Sequence, residues 1–167
     1  MKKLYIIRHA KSSWANPTLT DRKRPLNKRG FRDAPFMAKL LLKTGASPDL
    51  LVSSPAKRAF TTASFFAEAF EIPVDDIRKD SNIYDAFPSD IVDIVQSLSD
   101  DLVEVCVFGH NPTFTSFANK YNDQPIMNVP TCGIVVVEAE IDHWKDFNPS
   151  TASVVAFHYP KQYFKHK

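Results

Sequence analysis

Cysteine is scarce in this 167-residue chain, which holds only Cys106 and Cys132. Two thiols cannot make a disulfide framework, and neither belongs to a C-x-x-C pair. Cys106 lies inside the apolar run Val105–Phe108, where a buried, reduced thiol is expected. Glycine is nearly as rare: the four residues stand at 30, 45, 109 and 133, so few backbone positions have its freedom. No apolar run approaches the roughly 18 residues that a membrane span needs. The apolar stretch after Met1-Lys2-Lys3 is too short for a signal-peptide core. These absences leave a cytoplasmic protein, away from membranes, as the expectation.

Net charge is also small, +2 in all. That excludes a general polyanion binder such as a nucleic-acid packaging protein. The balance nevertheless hides a division. Residues 1–60 carry 14 basic and 3 acidic side chains, whereas residues 61–167 carry 7 basic and 16 acidic. The N-terminal third is therefore expected to handle something anionic. The length suits one domain spanning 1–167, and 44% hydrophobic with 24% charged residues is ordinary for a globular protein.

Twelve prolines supply most of the punctuation. Leu4-Tyr5-Ile6-Ile7 reads as a buried strand ending in Arg8-His9, and a polar loop follows from Lys11 to Pro25. Asn27 caps a helix to about Lys43, with Gly45 beyond it; Pro35 predicts a kink or a late start. Leu50-Leu51-Val52 is a second strand. Ser54-Pro55 then opens a helix to about Phe70, with Phe60, Ala63, Phe66, Ala67 and Phe70 inward. A short strand near Ile77, a helix over Ser89–Leu98 and a strand over Val103–Phe108 come next. Asn111-Pro112 opens the following helix by the same device. Ile134–Ala139 and Val154–Tyr159 read as an antiparallel pair at the sheet edge, and the tail from about residue 160 is expected to fray. The fold class is α/β: a mostly parallel sheet with helices on both faces and an antiparallel edge.

Ligands of open parallel sheets bind outside the carboxyl ends of the strands. The first such end delivers Arg8 and His9, the second Ser53-Ser54-Pro55 with Lys57 and Arg58, the third Gly109, His110 and Asn111. Two of five histidines thus stand at equivalent strand ends, with two arginines beside them. Helix starts favour anions, and arginine offers a planar fork matching phosphate oxygens. Imidazole, partly neutral near pH 7, can serve as a nucleophile or a donor. The set describes a pocket of phosphate size and charge. No histidine–cysteine spacing or carboxylate cluster suggests a metal, and no cofactor is implied.

The same residues carry a resemblance. Arg8-His9-Ala10-Lys11-Ser12-Ser13-Trp14 resembles the opening of the histidine phosphatase superfamily, with its phosphoglycerate-mutase-like three-layer fold. Asp21-x-x-Arg24-Pro25-Leu26-x-x-x-Gly30, Ser53-Ser54-Pro55-x-x-Arg58-Ala59-x-x-Thr62-Ala63 and Gly109-His110-Asn111-Pro112 follow in the family's order. They are most similar to the small SixA-type phosphohistidine phosphatases. The resemblance implies that His9 attacks phosphorus and becomes a phosphohistidine, while Arg8, Arg58 and His110 hold the non-bridging oxygens. Larger members place a glutamate as general acid where this chain has Ile83-Tyr84-Asp85. The alternatives are therefore Asp85, Asp21 or no acid, since the P–N bond of phosphohistidine asks little of one. Lys11, Ser13, Asn16, Arg24 and Asn111 are candidate substrate-binding residues, and Trp14 either lines the mouth or packs the loop.

About 50 residues separate Arg58 from His110, which leaves little chain for a lid. An open pocket suits a phosphorylated protein side chain, such as that of a phosphotransfer domain or phosphocarrier, better than a sugar phosphate. The expected function is a metal-independent phosphatase for protein phosphohistidine, monomeric and inhibited by phosphate and other oxyanions. The alternatives are a small-molecule phosphomonoesterase and a phospho-ligand binding module without turnover. Nucleic-acid binding through the basic third is a further option; it predicts steep salt dependence.

Overall fold

A computed structural model describes residues 1–164. The sheet is built from β1 (Lys2–Arg8), β2 (Leu50–Ser53), β3 (Arg78–Lys79), β4 (Glu104–Gly109), β5 (Ile134–Ala139) and β6 (Ala152–His158). Its spatial order is β3-β2-β4-β1-β5-β6. The first four strands run parallel, and β5 and β6 form the antiparallel edge. The helices are α1 (Lys28–Lys43), α2 (Lys57–Ala69), α3 (Pro88–Gln96) and α4 (Thr113–Asn119).

Side chains alternate across a strand, so β1 feeds two separate cores. Leu4 and Ile6 join Val105, Val107, Ile91, Val95, Phe114 and Phe117 under α3 and α4. Tyr5 and Ile7 join Leu51, Phe108, Met37, Leu41 and Phe66 under α1 and α2. Burial on both faces explains why the central strands read as continuous apolar runs rather than alternating ones. Cys106 is fully buried in the second core, as its run predicts.

Several boundaries differ from the expectations, each for a local reason. Helix α1 begins at Lys28, with the Asn27 side chain accepting the Gly30 N–H at 2.9 Å, and it continues through Pro35 without a late start. Helix α2 begins at Lys57 rather than at Ser54-Pro55, because the Ser54 hydroxyl is bonded to the Ala56 N–H and to His110. Phe60 and Phe70 are half-buried; Arg58, Ala59 and Thr62 take inner positions instead. The strand near Ile77 falls at Arg78–Lys79. Helix α4 starts after Pro112, with the Asn111 side chain accepting from the Thr115 N–H and hydroxyl. The tail is ordered through residue 164: Pro160–Gln162 make a 3₁₀ turn, and Tyr163 and Phe164 pack on the Phe36 ring at 5.7 and 4.6 Å between centroids. Residues 165–167 of the expected frayed tail lie outside the described residues.

Parallel pairing fixes the level of the strand ends. Arg8 pairs with Gly109, and both Ile7 and Ser53 are in register with Phe108. The pattern continues past the strands, with the His9 N–H bonded to the Gly109 carbonyl and the Ser54 N–H to the Phe108 carbonyl, each at 3.0 Å. Gly109 must be glycine here, since an added Cβ would stand 2.5 Å from the Phe114 ring and 2.7 Å from Ile83. Gly30 plays the corresponding part under the long loop, where a Cβ would meet the Lys11 carbonyl at 2.2 Å.

Candidate active site

With the strand ends level, His9 and His110 become neighbours, their ring centroids 5.3 Å apart. Two contacts hold His9. Its Nδ1 lies 2.7 Å from the Ala10 carbonyl, and the Ala10 N–H donates to the Thr62 hydroxyl on α2. A carbonyl only accepts, so Nδ1 carries the proton and Nε2 keeps its lone pair. Thr62 in turn donates to the Arg58 carbonyl at 2.8 Å, tying the segment after β1 to the first turn of α2.

Burial makes both imidazoles neutral. Desolvation, with the charges of His110, Arg58 and Arg8 adding to it, lowers His9 to about 3. His110 is lowered to about 4, again chiefly by desolvation and then by the Arg58 charge. Its Nε2 pairs with the Ser54 hydroxyl at 2.8 Å, and Tyr84 meets its ring edge-on at 5.5 Å.

Arg58 is a buried cation, 6% exposed. Its terminal nitrogens donate to the Asp21 carbonyl at 2.7 Å and the Asp21 carboxylate at 2.9 Å. Arg8 donates from Nη1 to the Val129 carbonyl at 3.0 Å, and burial lowers its pKa from the ordinary arginine value. Among the described residues, three buried side-chain nitrogens have no hydrogen-bond partner: Arg8 Nε, Arg58 Nε and His110 Nδ1. Each such group costs about 1–3 kcal/mol unless something accepts from it. All three belong to this one cluster. Buried guanidinium donors without acceptors match an oxyanion, and His110 Nδ1 joins them in the tautomer whose Nε2 accepts from the Ser54 hydroxyl.

Asp21 ties the surroundings together. Its carboxylate accepts from Tyr84 at 2.5 Å, from Arg58, and from Arg24 Nε at 3.2 Å. The Tyr84 hydrogen bond, followed by those from the arginines, holds this carboxyl far below the usual range. Asp85 stands one residue further on, exposed and in the left-handed region at φ 54°. Both aspartates line a cavity of about 390 Å³ together with Arg58, Tyr84, His110, Asn111, Phe87 and Thr113. His9 is not part of that lining; it lies beside it, against His110.

The other sequence-derived candidates have structural partners. Arg24 is buried, donates to the Ser12 hydroxyl and the Ser13 carbonyl, and stacks on Trp14 with 3.5 Å to the ring centre. The Ser13 hydroxyl accepts the Ala15 N–H. Asn16 closes a turn onto Thr18 and is exposed. The Asn111 amide bonds to Asn128, to the Val129 carbonyl and to Thr115. Lys11 is half-buried, and its carbonyl accepts the Asn27 N–H. Three contacts escaped the sequence reading. Thr62 and Ser54 were visible only as motif members and a helix cap, and Tyr84 as the middle of Ile83-Tyr84-Asp85.

Fold and site together define a class: a doubly covered α/β sheet with a buried histidine–arginine cluster at the carboxyl ends of its parallel strands. The family model for the histidine phosphatase superfamily (branch 1) matches residues 4–79, which include Arg8, His9, Asp21 and Arg58. The structure described as the "putative phosphohistidine phosphatase SixA" from Agrobacterium tumefaciens superposes with a TM-score of 0.81 at 26% identity, over 95% of this chain and 98% of that one. The chain thus matches the histidine phosphatase superfamily over residues 4–79 and has the fold of the SixA-type structures. The uncharacterized protein Rv1276c of Mycobacterium tuberculosis is 28% identical over 165 residues, covering 93% of this chain and 100% of that one. A protein histidine phosphatase SixA complexed with tungstate shares the fold, with a TM-score of 0.77 at 18% identity over 93% of this chain and 95% of that one. Among the described residues, no helix is long and apolar enough to cross a membrane.

Proposed function

We propose that the chain is a phosphatase that works through a phosphohistidine on His9 and acts on phosphohistidine in proteins. The observation that carries this reading is the state of His9: neutral, with Nδ1 bonded to the Ala10 carbonyl and Nε2 left as a lone pair beside His110. Nε2 attacks phosphorus in line, the bond from phosphorus to the leaving nitrogen breaks, and the leaving imidazole departs with a proton. Water then attacks the phosphorylated His9, releasing inorganic phosphate and restoring the free ring. Phosphoryl transfer asks mainly for positioning and charge stabilisation, which Arg8, Arg58 and His110 supply at the equatorial oxygens. No metal is needed in this scheme.

The two acid candidates separate on their contacts. Asp21, held ionised by Tyr84 and the arginines, has no proton to give and acts as the anchor of Arg58. Asp85, exposed on the cavity wall, is the carboxyl we assign to protonating the leaving group. A modest acid is enough for the P–N bond of phosphohistidine, whose leaving group is good once protonated. The tungstate held by the like-folded SixA protein belongs to the oxyanion class for which our reading fits this cluster, so phosphate and tungstate should inhibit.

The test is a metal-free panel of a histidine-phosphorylated protein, phosphotyrosine and sugar phosphates. The reading expects the phosphohistidine protein to be turned over with the highest kcat/KM. A low KM on a free sugar phosphate, with no turnover of the phosphohistidine protein, overturns it in favour of a small-molecule phosphomonoesterase.

A further inference from the structure

Exposed apolar side chains scattered singly over a surface carry no message, but their concentration in one place does. The three most exposed large apolar residues among the described ones are Met127 at 93% and Trp14 and Phe87 at 73% each. They come from three separate loops: one lines the cavity, and the other two are tied by side-chain contacts to residues that do. Phe87 lines it directly. Trp14 lies under the Arg24 guanidinium, which is bonded to Asp21 on the cavity wall. Met127 precedes Asn128, whose side chain accepts from Asn111, another lining residue. The remaining exposed apolar residues, such as Leu42, Val74, Val103 and Val155, are about half exposed and spread over distant elements.

Cations accompany them. Arg22 stacks over the Tyr84 ring at 4.4 Å, and Lys23 and Lys57 are exposed close in sequence to the lining residues Asp21 and Arg58. A small-metabolite site encloses its ligand and gains nothing from apolar groups outside the pocket. An apolar centre with a charged rim is the anatomy of a protein interface.

We propose that Trp14, Phe87 and Met127 form a docking rim for a folded protein whose phosphorylated side chain stands on an apolar patch flanked by acidic groups. This rests on the functional reading above and adds the surface that selects the substrate. The anionic phosphoryl group enters the buried cluster, the apolar patch covers the three side chains, and acidic neighbours meet Arg22, Lys23 and Lys57. A phosphoryl group on a free amino acid has no patch to offer and gains nothing from the rim.

The experiment compares two probes: a phosphotransfer domain phosphorylated on its histidine, and phosphohistidine as the free amino acid. Variants are Phe87→Ser, Met127→Ser and the triple Trp14→Ser/Phe87→Ser/Met127→Ser, with folding checked by circular dichroism and thermal melts. The ratio of kcat/KM on the phosphoprotein to kcat/KM on the free phosphoamino acid is expected to fall roughly tenfold or more in the triple variant. The loss should lie in KM, and each single variant should show part of it. An unchanged ratio overturns the rim, as does a wild-type dimer that buries these residues. Wild-type turnover of the free phosphoamino acid but not of the phosphoprotein also overturns the rim and leaves the His9 chemistry standing. Turnover of neither overturns the functional reading, and the rim with it.

Discussion

The two ends of the sheet each carry a hollow with a histidine and carboxylates, yet they differ in the respects that bear on chemistry. The hollow at the amino end is the larger, about 550 Å³, and is lined by Met1, Glu140, Asp142, His143, Asp146 and Thr151. There His143 is paired with Asp100 at 2.9 Å, and both side chains are at least half exposed. The carboxyl end has the smaller cavity, but its histidines are buried and neutral and its arginines hold nitrogens without acceptors. Volume does not mark the site. Uncompensated burial of donors does, because a solvent-exposed, already hydrogen-bonded pair leaves nothing to be gained from a ligand.

Substitutions can break or sharpen this contrast. The largest effect is expected at His9: His9→Ala removes the nucleophile and should lower kcat roughly 10⁴-fold or more in steady-state assays. Arg58→Ala removes a buried cation from the transferring group and should cost on the order of 10²–10³-fold in kcat. Asp21→Asn leaves Arg58 without its ion pair and should cost up to about 10²-fold through misplacement. Tyr84→Phe should cost less, and the double variant little more than Asp21→Asn alone, because both act through one network. At the other end, His143→Ala should leave kcat/KM unchanged within assay error.

The contrast also sets a pH dependence. His9 and His110 are lowered to about 3 and about 4, chiefly by burial. An unfolded histidine titrates near 6.5, so between about pH 6.5 and 4 the unfolded chain binds protons that the native one refuses. Stability is therefore full above about pH 6.5 and falls as the pH drops through this window. Thermal melts from pH 7.5 to 4 should show it, and His110→Asn should flatten the slope.

Much of this arrangement was legible in the sequence, for a physical reason. Parallel strands of similar register end at one level, so Arg8-His9, Ser53-Ser54 and Gly109-His110 meet once the α/β alternation is recognised. The links made by Asp21 were not legible. They depend on how residues 11–25 fold back, through the Ser12–Leu26 bridge and the 3₁₀ turn at Asp21–Lys23, onto a tyrosine 63 residues away. No periodicity encodes such a contact. The start of α2 was misplaced because Ser54-Pro55 has cap chemistry, yet its serine serves His110 instead. The tail looked solvated because its aromatic residues give no period, although they fit the Phe36 face of α1.

The central claim is that His9 forms a covalent phosphoenzyme, and rapid quenching with a phosphorus-labelled phosphohistidine protein tests it most directly. The account predicts a transient label that survives alkali, is lost in acid, maps to His9 and is absent from His9→Ala. Turnover with no label on His9, or a label mapping to another residue, would contradict it.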